Sequence, residues 1–205
     1  KEFQKFLKKR LSSFASLSCR EHTNANLLTT ILKKEVSSVL DPTLLLNKDQ
    51  WNLSLPKKRF SSTRYVLYYE LMPSEEATRF AQEKANSLGC KLLVMDARIP
   101  IIPKTGHISY ASPIEFMHAI RDAEYVIATS FHGTAFSIIF EKQFLTLGLK
   151  KNADRVITLL YHLGLSQHYQ EHPNACNDIN YKTVQYKLHE LVASSSQALL
   201  TAINP

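Results

Sequence analysis

The chain has 205 residues, of which 44% are hydrophobic and 21% charged, so a mainly disordered chain is excluded. It contains only 5 glycines and neither a GxGxxG nor a GxxxxGK(S/T) motif, which excludes the common glycine-rich nucleotide loops. The formal net charge of +7 favours anionic partners, and nucleic acid, a phosphorylated metabolite and an anionic membrane all fit it.

Short β-rich apolar runs alternate along the chain with segments of helical period, which predicts βα units and a mostly parallel sheet. Unbroken apolar stretches at 92–95 and 125–128 are typical of strands buried on both faces. We therefore expect an α/β fold, a Rossmann-like three-layer domain with a mostly parallel sheet of about six strands. The predicted strands are 14–19, 36–40, 64–71, 91–95, 124–128 and 144–147.

The remaining segments predict helices. Ser74 is an N-cap for a helix to residue 87, and Ser112-Pro113 with Glu115 is a stronger start signal, with proline at N1 and glutamate at N3. Residues 1–12 have helical spacing and form either an edge helix or an interdomain segment. Further helices are predicted at 24–34, 135–140, 154–163 and 181–205, the last closing the chain after a loop at 166–180.

Several site classes are disfavoured. Three widely spaced cysteines without a CxxC favour a reducing compartment over a disulfide framework or a zinc site. No apolar run approaches the ~20 residues of a membrane-spanning helix. His168 and His172 have the HxxEH order, but Pro173 disfavours the helix that such a metal site needs, so we predict no metal site. The basic runs at 8–10, 57–59 and 150–151 lack interleaved aromatic residues, so no nucleic-acid partner is expected.

In an open parallel sheet, ligands bind at the carboxyl ends of the strands, where helix N-termini offer N–H groups. The segment Ser130-Phe131-His132-Gly133-Thr134 follows the apolar run at 125–128 and precedes an apolar helix. Ser130, Gly133 and Thr134 can present hydroxyls and N–H groups, and His132 adds an imidazole that titrates near neutral pH. This turn suits a phosphate or carboxylate together with proton transfer, although a capped turn with a hydrogen-bonded histidine is the more usual structural interpretation of such a segment taken alone.

Two further stretches carry candidate site residues. Arg20 and Glu21 follow the predicted strand at 14–19, and an arginine can bind a carboxylate or phosphate bidentately while a glutamate orients it or acts as an acid. Asp41, followed by Pro42, reads as an N-cap with proline at N1. Taken alone, each stretch also fits a structural role.

Together these stretches resemble a known family. Ser-Cys-Arg-Glu at 18–21, Asp-Pro-Thr-Leu-Leu-Leu at 41–46, and Ser-Pro-Ile-Glu-Phe at 112–116 running into Ser-Phe-His-Gly-Thr-Ala-Phe-Ser-Ile-Ile-Phe at 130–140 resemble the polysaccharide pyruvyl transferase family. The segment around Arg155 is similar to that family's closing segment. The resemblance covers nearly the whole chain in order and spacing.

The resemblance implies a bacterial enzyme that transfers pyruvate as a ketal from phosphoenolpyruvate to a sugar of a surface polysaccharide or its lipid-linked precursor. It implies a GT-B-like fold, of which 1–205 would be the C-terminal Rossmann-like domain, with the enzyme's own N-terminal domain as a partner. On this basis His132, Arg20 and Glu21 are the expected catalytic residues. The expected substrate-binding residues are Ser130, Gly133, Thr134, Asp41 and Arg155.

Ketal formation from an enol phosphate needs a proton donor, a base for the sugar hydroxyls and cations for the phosphate and carboxylate, and no cofactor beyond the donor substrate. Two alternatives stay open: a GT-B glycosyltransferase that uses a nucleotide sugar, and a non-catalytic polysaccharide- or partner-binding domain. The expected location is cytoplasmic, at the inner face of the cytoplasmic membrane if the basic runs contact anionic lipids.

Overall fold

The computed structural model describes residues 2–71, 74–96, 107–109, 111–148 and 153–204, and the Lys150-Lys151 run lies outside them. Two compact units make up the chain: unit 1 comprises Lys1–Leu45 and Lys182–Pro205, and unit 2 comprises Leu46–Tyr181. In chain order the elements are α1 (Glu2–Leu11), β1 (Ser18–Cys19), α2 (His22–Leu32), β2 (Ser37–Ser38), a 3₁₀ turn (Pro42–Leu45), α3 (Lys48–Asn52), β3 (Tyr65–Glu70), α4 (Glu75–Ser87), β4 (Lys91–Asp96), β5 (His107–Ser109), α5 (Pro113–Asp122), β6 (Tyr125–Ala128), α6 (Phe131–Ile139), β7 (Phe144–Leu147), α7 (Ala153–Leu163), a second 3₁₀ turn (Ser166–His168), β8 (Tyr169–Gln170) and α8 (Tyr181–Ile203).

Unit 2 is built on a sheet of six parallel strands in the spatial order β5-β4-β3-β6-β7-β8. From β3 the chain moves outward through β4 to β5, then returns to the other side of β3 and continues through β6 to β8. The direction of winding therefore reverses between β3 and β6. In open parallel sheets this switch point is where ligands bind, at the carboxyl ends of the two strands.

Helices cover both faces of this sheet. The buried alanines of α4 pack in one apolar cluster with Val66 and Tyr68 of β3. Tyr65 and Tyr69, which point to the opposite face, contact α5: the Tyr65 hydroxyl donates to the carbonyl of Ala119 at 2.7 Å. The three-layer α/β arrangement with a six-stranded parallel sheet confirms the predicted fold class.

The central strands are the best-buried part of the molecule, which explains their unbroken apolar pattern. Leu67 of β3 and Ile127 of β6 are fully buried, and every residue of β6 and β7 is buried. At about 25 cal/mol per Å² of apolar area, this burial is the main source of stability in unit 2. The rigid sheet fixes the positions of the loops at its carboxyl edge.

Unit 1 contains a much smaller sheet. β1 and β2 pair in parallel, joined by the crossover helix α2, with N–H groups of Ser37 and Val39 donating to the carbonyls of residues 17 and 19. A small apolar cluster lies beneath it, formed by Ala25, Leu32 and Val36 with half-buried neighbours. The backbone N–H of residue 40, just after β2, donates to a serine hydroxyl of α8 at 3.0 Å.

Several predicted elements differ from the observed ones. The strands expected at 14–19 and 36–40 are only two residues each and pair with one another, outside the six-stranded sheet. Their places in the main sheet are taken by β5 and β8, and β8 lies in the stretch expected to be a loop. Both added strands are edge strands of two or three residues, too short to leave a period in the sequence. The helix expected to begin at 135 begins at Phe131.

Candidate functional site

The Ser-Phe-His-Gly-Thr segment forms the start of α6, directly at the carboxyl end of β6. Ser130 is the N-cap, and its Oγ accepts the N–H of Gly133 at 2.9 Å. The Thr134 hydroxyl donates to the Ser130 carbonyl at 3.0 Å and lies 2.7 Å from the hydroxyl of Thr146 on β7. The two hydroxyls therefore hold the turn together, and the predicted contacts of these residues with an anion stay a prediction.

Gly133 allows α6 to lie against the sheet. A Cβ at this position would lie 2.7 Å from the Cβ of Ala128 and 3.0 Å from the Oγ of Ser130. Neither neighbour belongs to a long flexible side chain, so a larger residue would push the first turn of α6 away from β6. Glycine here fixes the depth at which the helix N-terminus, with its positive dipole end, meets the sheet edge.

His132 is the one exposed residue of the segment 131–140. All its neighbours in α6 are buried against the sheet, so the imidazole is the chemically active group that this turn offers to solvent. Its ring lies edge-on to Phe131, with ring centroids 5.5 Å apart. An exposed imidazole beside a helix N-terminus can both donate a proton and contact an anion.

Arg155, from α7, lies near the same turn. Its guanidinium carbon is 5.1 Å from the centre of the Phe131 ring, a cation–π contact. The structure therefore brings together two predicted site residues, His132 and Arg155, which both contact Phe131 although they are far apart in sequence. A cation at this position adds to the positive end of the α6 dipole.

Two carboxylates at the same edge were missed by the sequence analysis. Glu70 ends β3 and Asp96 ends β4, and the two are register partners in the sheet. Glu70 is only 5% exposed, and it is one residue past Tyr69, which pairs with Ala128 of β6. An acidic residue at the end of each apolar strand was the available signal, but only the register shows that the two lie side by side at the carboxyl edge of β3 and β4.

The remaining predicted site residues lie in unit 1. Arg20, directly after β1, forms an ion pair with Asp41, whose side chain is 3% exposed while that of Arg20 is 43% exposed. The other Asp41 oxygen accepts the backbone N–H and the hydroxyl of Thr43 at 3.1 and 2.8 Å. Asp41 thus orients the arginine and caps the turn that follows, and Glu21 accepts a hydrogen bond from Asn24 at 2.7 Å.

The charge state of Asp41 follows from these contacts. Burial raises the pKa of its carboxyl group, but the hydrogen bonds from Thr43 and Arg20 and the positive charge of Arg20 outweigh burial, so the pKa lies below its usual value. Asp41 is therefore ionised at neutral pH. A half-exposed arginine held by an ionised partner keeps part of its guanidinium available for an anion.

The HxxEH segment does not form a helix. The His168 ring is buried, with Nδ1 3.0 Å from the carbonyl oxygen of Phe144, whereas His172 is exposed and lies 3.1 Å from Glu76. Within the described residues, no group of three or more histidine, cysteine or acidic side chains could hold a metal ion. None of the helices in that part of the chain is long and apolar enough to cross a membrane.

The fold and the edge of the sheet define this chain as an α/β protein with an imidazole, an arginine and a helix N-terminus grouped at the switch point. The match to the family described as polysaccharide pyruvyl transferase runs over residues 1–151. That is well over half of the chain, so the chain belongs to the polysaccharide pyruvyl transferase family, a family of transferases.

Two solved structures show distant likeness. One is the glycotransferase of kitacinnamycin, with 11% identity and a TM-score of 0.34 over 71% of this chain and 39% of that one. The other is the glycosyltransferase SnogD from Streptomyces nogalater, with 11% identity and a TM-score of 0.40 over 89% of this chain and 65% of that one. This chain spans less than two thirds of the length of either structure. No curated protein matches the sequence.

Proposed function

We propose that this chain carries the donor-handling part of an enzyme that transfers pyruvate, as a ketal, from phosphoenolpyruvate to a sugar of a bacterial surface polysaccharide or its lipid-linked precursor. The observation that supports this most directly is the exposed imidazole of His132 at the switch point of the sheet, in a chain of the pyruvyl transferase family. The imidazole lies where a ligand of a parallel sheet binds.

The reaction sets the groups that the site must supply. The methylene carbon of the enol phosphate accepts a proton, the adjacent carbon becomes oxocarbenium-like, one sugar hydroxyl adds to it and phosphate leaves. A second hydroxyl of the sugar then closes the ketal, and both hydroxyls lose their protons. We assign His132 to proton transfer or to contact with the phosphate, since an imidazole can donate a proton or a hydrogen bond.

Cations near the site would hold the donor. Arg155, beside Phe131, is placed to attract the phosphate or carboxylate together with the α6 N-terminus. For unit 1, the family resemblance is the ground on which we assign Arg20 to contact with an anion, with Asp41 positioning it and Glu21 aiding orientation or proton transfer. In α6, Ser130, Gly133 and Thr134 would shape the turn that receives the anion.

The partners and location follow from this reaction. The donor is phosphoenolpyruvate, the acceptor is a sugar or lipid-linked oligosaccharide, and no cofactor or nucleic acid takes part. We propose a cytoplasmic location at the inner face of the cytoplasmic membrane, where a lipid-linked precursor would be met. Three free cysteines are compatible with a reducing compartment. We expect the 205-residue chain alone to be inactive, because the family's N-terminal domain would complete the cleft.

The test is pyruvylation by the complete gene product with phosphoenolpyruvate and candidate lipid-linked sugars. Replacing His132 by Ala is expected to lower kcat by about 100-fold or more, as loss of an acid–base group does. The matched control is His162→Ala, an exposed histidine on α7, which should leave the rate unchanged. A near-normal rate for His132→Ala would overturn the assignment.

Isotope tracing separates the two enzymatic functions. Label from the carbon skeleton of phosphoenolpyruvate should appear in the product, and label from a nucleotide sugar should not. The reverse result would identify a glycosyltransferase. Calorimetry addresses the non-catalytic alternative, which predicts that phosphoenolpyruvate binds no more tightly than inorganic phosphate.

A further inference from the structure

Tyr69 differs from the other residues of β3. Every other residue of this strand is buried, whereas Tyr69, near its carboxyl end, is half-buried. It is the register partner of Ala128, the last residue of β6, so it lies at the switch point between β3 and β6. A tyrosine that reaches out of the core at this point lies where a ligand of a parallel sheet binds.

Tyr65 is a structural tyrosine in the same strand and provides a comparison. It lies four residues earlier, on the same face of the sheet, and its buried hydroxyl donates to the carbonyl of Ala119 at 2.7 Å. Tyrosine hydroxyls usually find such a partner when they are buried. The hydroxyl of Tyr69 forms no hydrogen bond with any other residue that the structure describes, so it is available to a ligand.

The ring of Tyr69 is held between the first turns of α5 and α6. Its centroid lies 4.7 Å from that of Phe116 in α5, and its Cδ1 atom lies 3.3 Å from the position that a Cβ at Gly133 would occupy. The Tyr69 carbonyl accepts the backbone N–H of Thr129 at 3.1 Å. Because ring and backbone are both held, the hydroxyl can bind a ligand without first being ordered.

The chemistry of this hydroxyl suits an uncharged ligand that bears hydroxyl groups. Burial raises the pKa of the Tyr69 hydroxyl above its ordinary value. The side chain is therefore a neutral phenol at pH 7, which both donates and accepts hydrogen bonds but does not act as a base. A sugar hydroxyl also donates and accepts, so the two groups are complementary.

The residues on the two sides of the switch point favour different ligands. On the β6 side, His132 and the guanidinium of Arg155 both contact Phe131, and a guanidinium favours an anion. On the β3 side, Tyr69 is followed by Glu70, whose carboxyl oxygens can accept hydrogen bonds but do not attract an anion. The β3 side therefore suits a sugar better than it suits a phosphorylated acid.

We propose that the hydroxyl of Tyr69 binds a hydroxyl group of the acceptor sugar and helps to select that sugar. The acceptor role rests on the proposed transfer of pyruvate to a sugar. The acceptor then lies on the β3 side of the switch point, and the phosphate and carboxylate of the donor lie on the β6 side. A contact to a group of the acceptor that keeps its hydrogen bond throughout the reaction changes KM rather than kcat.

Steady-state kinetics of the complete gene product test this contact. Tyr69→Phe removes only the hydroxyl and should raise the KM for the acceptor about 10-fold, the usual effect of one lost hydrogen bond. The KM for phosphoenolpyruvate and kcat should stay within about twofold of the wild-type values. A higher KM for phosphoenolpyruvate with an unchanged acceptor KM would assign Tyr69 to the donor and overturn the proposal. Unchanged values for both substrates would overturn it as well.

The matched control is Tyr65→Phe, which removes a hydroxyl from the same strand and the same face. It should leave both KM values unchanged but lower the Tm of the 205-residue chain by roughly 3 °C, because the bond to Ala119 is lost. Tyr69→Phe should leave that Tm unchanged. A loss of Tm for Tyr69→Phe as large as for Tyr65→Phe would identify a structural hydroxyl and contradict the proposal.

Monodeoxy forms of the best acceptor identify the bonded hydroxyl. One of these analogues should bind the wild type about 10-fold more weakly than the parent sugar does, yet bind Tyr69→Phe as well as the parent sugar, since either change removes the same hydrogen bond. If every deoxy analogue loses the same affinity in both proteins, Tyr69 does not bind a sugar hydroxyl.

Sugar binding measured by calorimetry separates the sugar contact from the proposed reaction. The probes are the methyl glycosides of glucose, galactose and mannose, whose binding needs no pyruvyl transfer. A complete product that transfers no pyruvate, yet binds one of these sugars about 10-fold more tightly than Tyr69→Phe does, would overturn the proposed function and retain the sugar contact. Equal binding by the two proteins, or no binding of any sugar by a product that transfers no pyruvate, would overturn the sugar contact.

Discussion

Each of the two units of this chain is stabilised by a core of a different size. In unit 2 six strands form one parallel sheet whose central residues, Leu67 and Ile127 among them, have no exposed surface. In unit 1 two strands of two residues cover a cluster of three buried apolar residues, and more than half of the exposed large apolar side chains of the described residues lie there although it is the smaller unit. Unit 2 therefore has a large buried core, whereas unit 1 has a small one and leaves more apolar surface exposed.

The largest expected effect tests this contrast directly. Ile127→Ala removes a fully buried side chain from the central strand β6 and should cost about 2 to 5 kcal/mol in the free energy of unfolding. Leu27→Ala, at a 53% exposed position of α2, should cost less than about 0.5 kcal/mol. Urea unfolding of the 205-residue chain, followed by circular dichroism, measures both. Equal losses would mean that the half-exposed Leu27 of α2 contributes as much to stability as the fully buried Ile127 of β6.

The same contrast explains which parts of the fold could be predicted from the sequence. The long apolar strands of unit 2 and the helix start at Ser112, Pro113 and Glu115 were predicted correctly, because their signals are local. The runs at 14–19 and 36–40 have similar β-rich composition, yet only two residues of each pair as strand. Strand length depends on the neighbours that a strand finds, and such neighbours are not encoded in the strand itself.

The candidate site also has features that could be predicted from the sequence and features that could not. The turn of His132 could be predicted, because a polar turn after an apolar strand marks the carboxyl edge of a sheet. The pairing of Arg20 with Asp41, 21 positions later, and the proximity of Arg155 to Phe131 depend on tertiary contacts. Glu70 was overlooked because an acidic residue ending a strand is common, and its burial beside β6 appears only from the sheet order.

The tight packing at the start of α6 provides a sharper test of unit 2. Gly133→Ala introduces a Cβ at 2.7 Å from that of Ala128, and this overpacking should cost about 1 to 3 kcal/mol. Adding Ala128→Gly removes the opposing atom and should recover part of the loss, although the contact with Ser130 stays. Thermal unfolding of the two single variants and the double variant measures the coupling. Additive losses would show that the two positions do not touch.

The ion pair of Arg20 with Asp41 gives a test of an electrostatic contact in unit 1. Asp41→Asn removes the charge that holds Arg20 and should cost about 1.5 kcal/mol at pH 7. Because the folded-state pKa of Asp41 is lowered, its contribution is complete above the ordinary aspartate pKa of about 3.9 and is lost as the pH falls through the folded-state value. The stabilities of the wild type and the variant should therefore converge below pH about 4.

The control for Asp41 is Glu35→Gln, which removes one negative charge from an exposed position of the same unit. It should change stability by less than about 0.5 kcal/mol and leave the pH dependence unaltered. A stability gap for Asp41→Asn that stays constant from pH 7 to pH 3 would show that the carboxylate charge contributes nothing.

Helix starts give the smallest expected difference between the units. In unit 2, α3, α4, α5 and α6 all begin at a residue whose side chain accepts a backbone N–H, whereas α2 of unit 1 begins at Glu21 without such a cap bond. Ser112→Ala removes the 3.2 Å bond from the Glu115 N–H to the Ser112 hydroxyl, which is one half of the capping box, and should cost about 1 kcal/mol. Ser112→Thr keeps a hydroxyl and should retain most of that stability in the same urea titration. Equal free energies of unfolding for Ser112→Ala and Ser112→Thr would mean that the buried face of α5 alone stabilises this helix. The local helix-start signals, which made unit 2 predictable, would then contribute little to its stability.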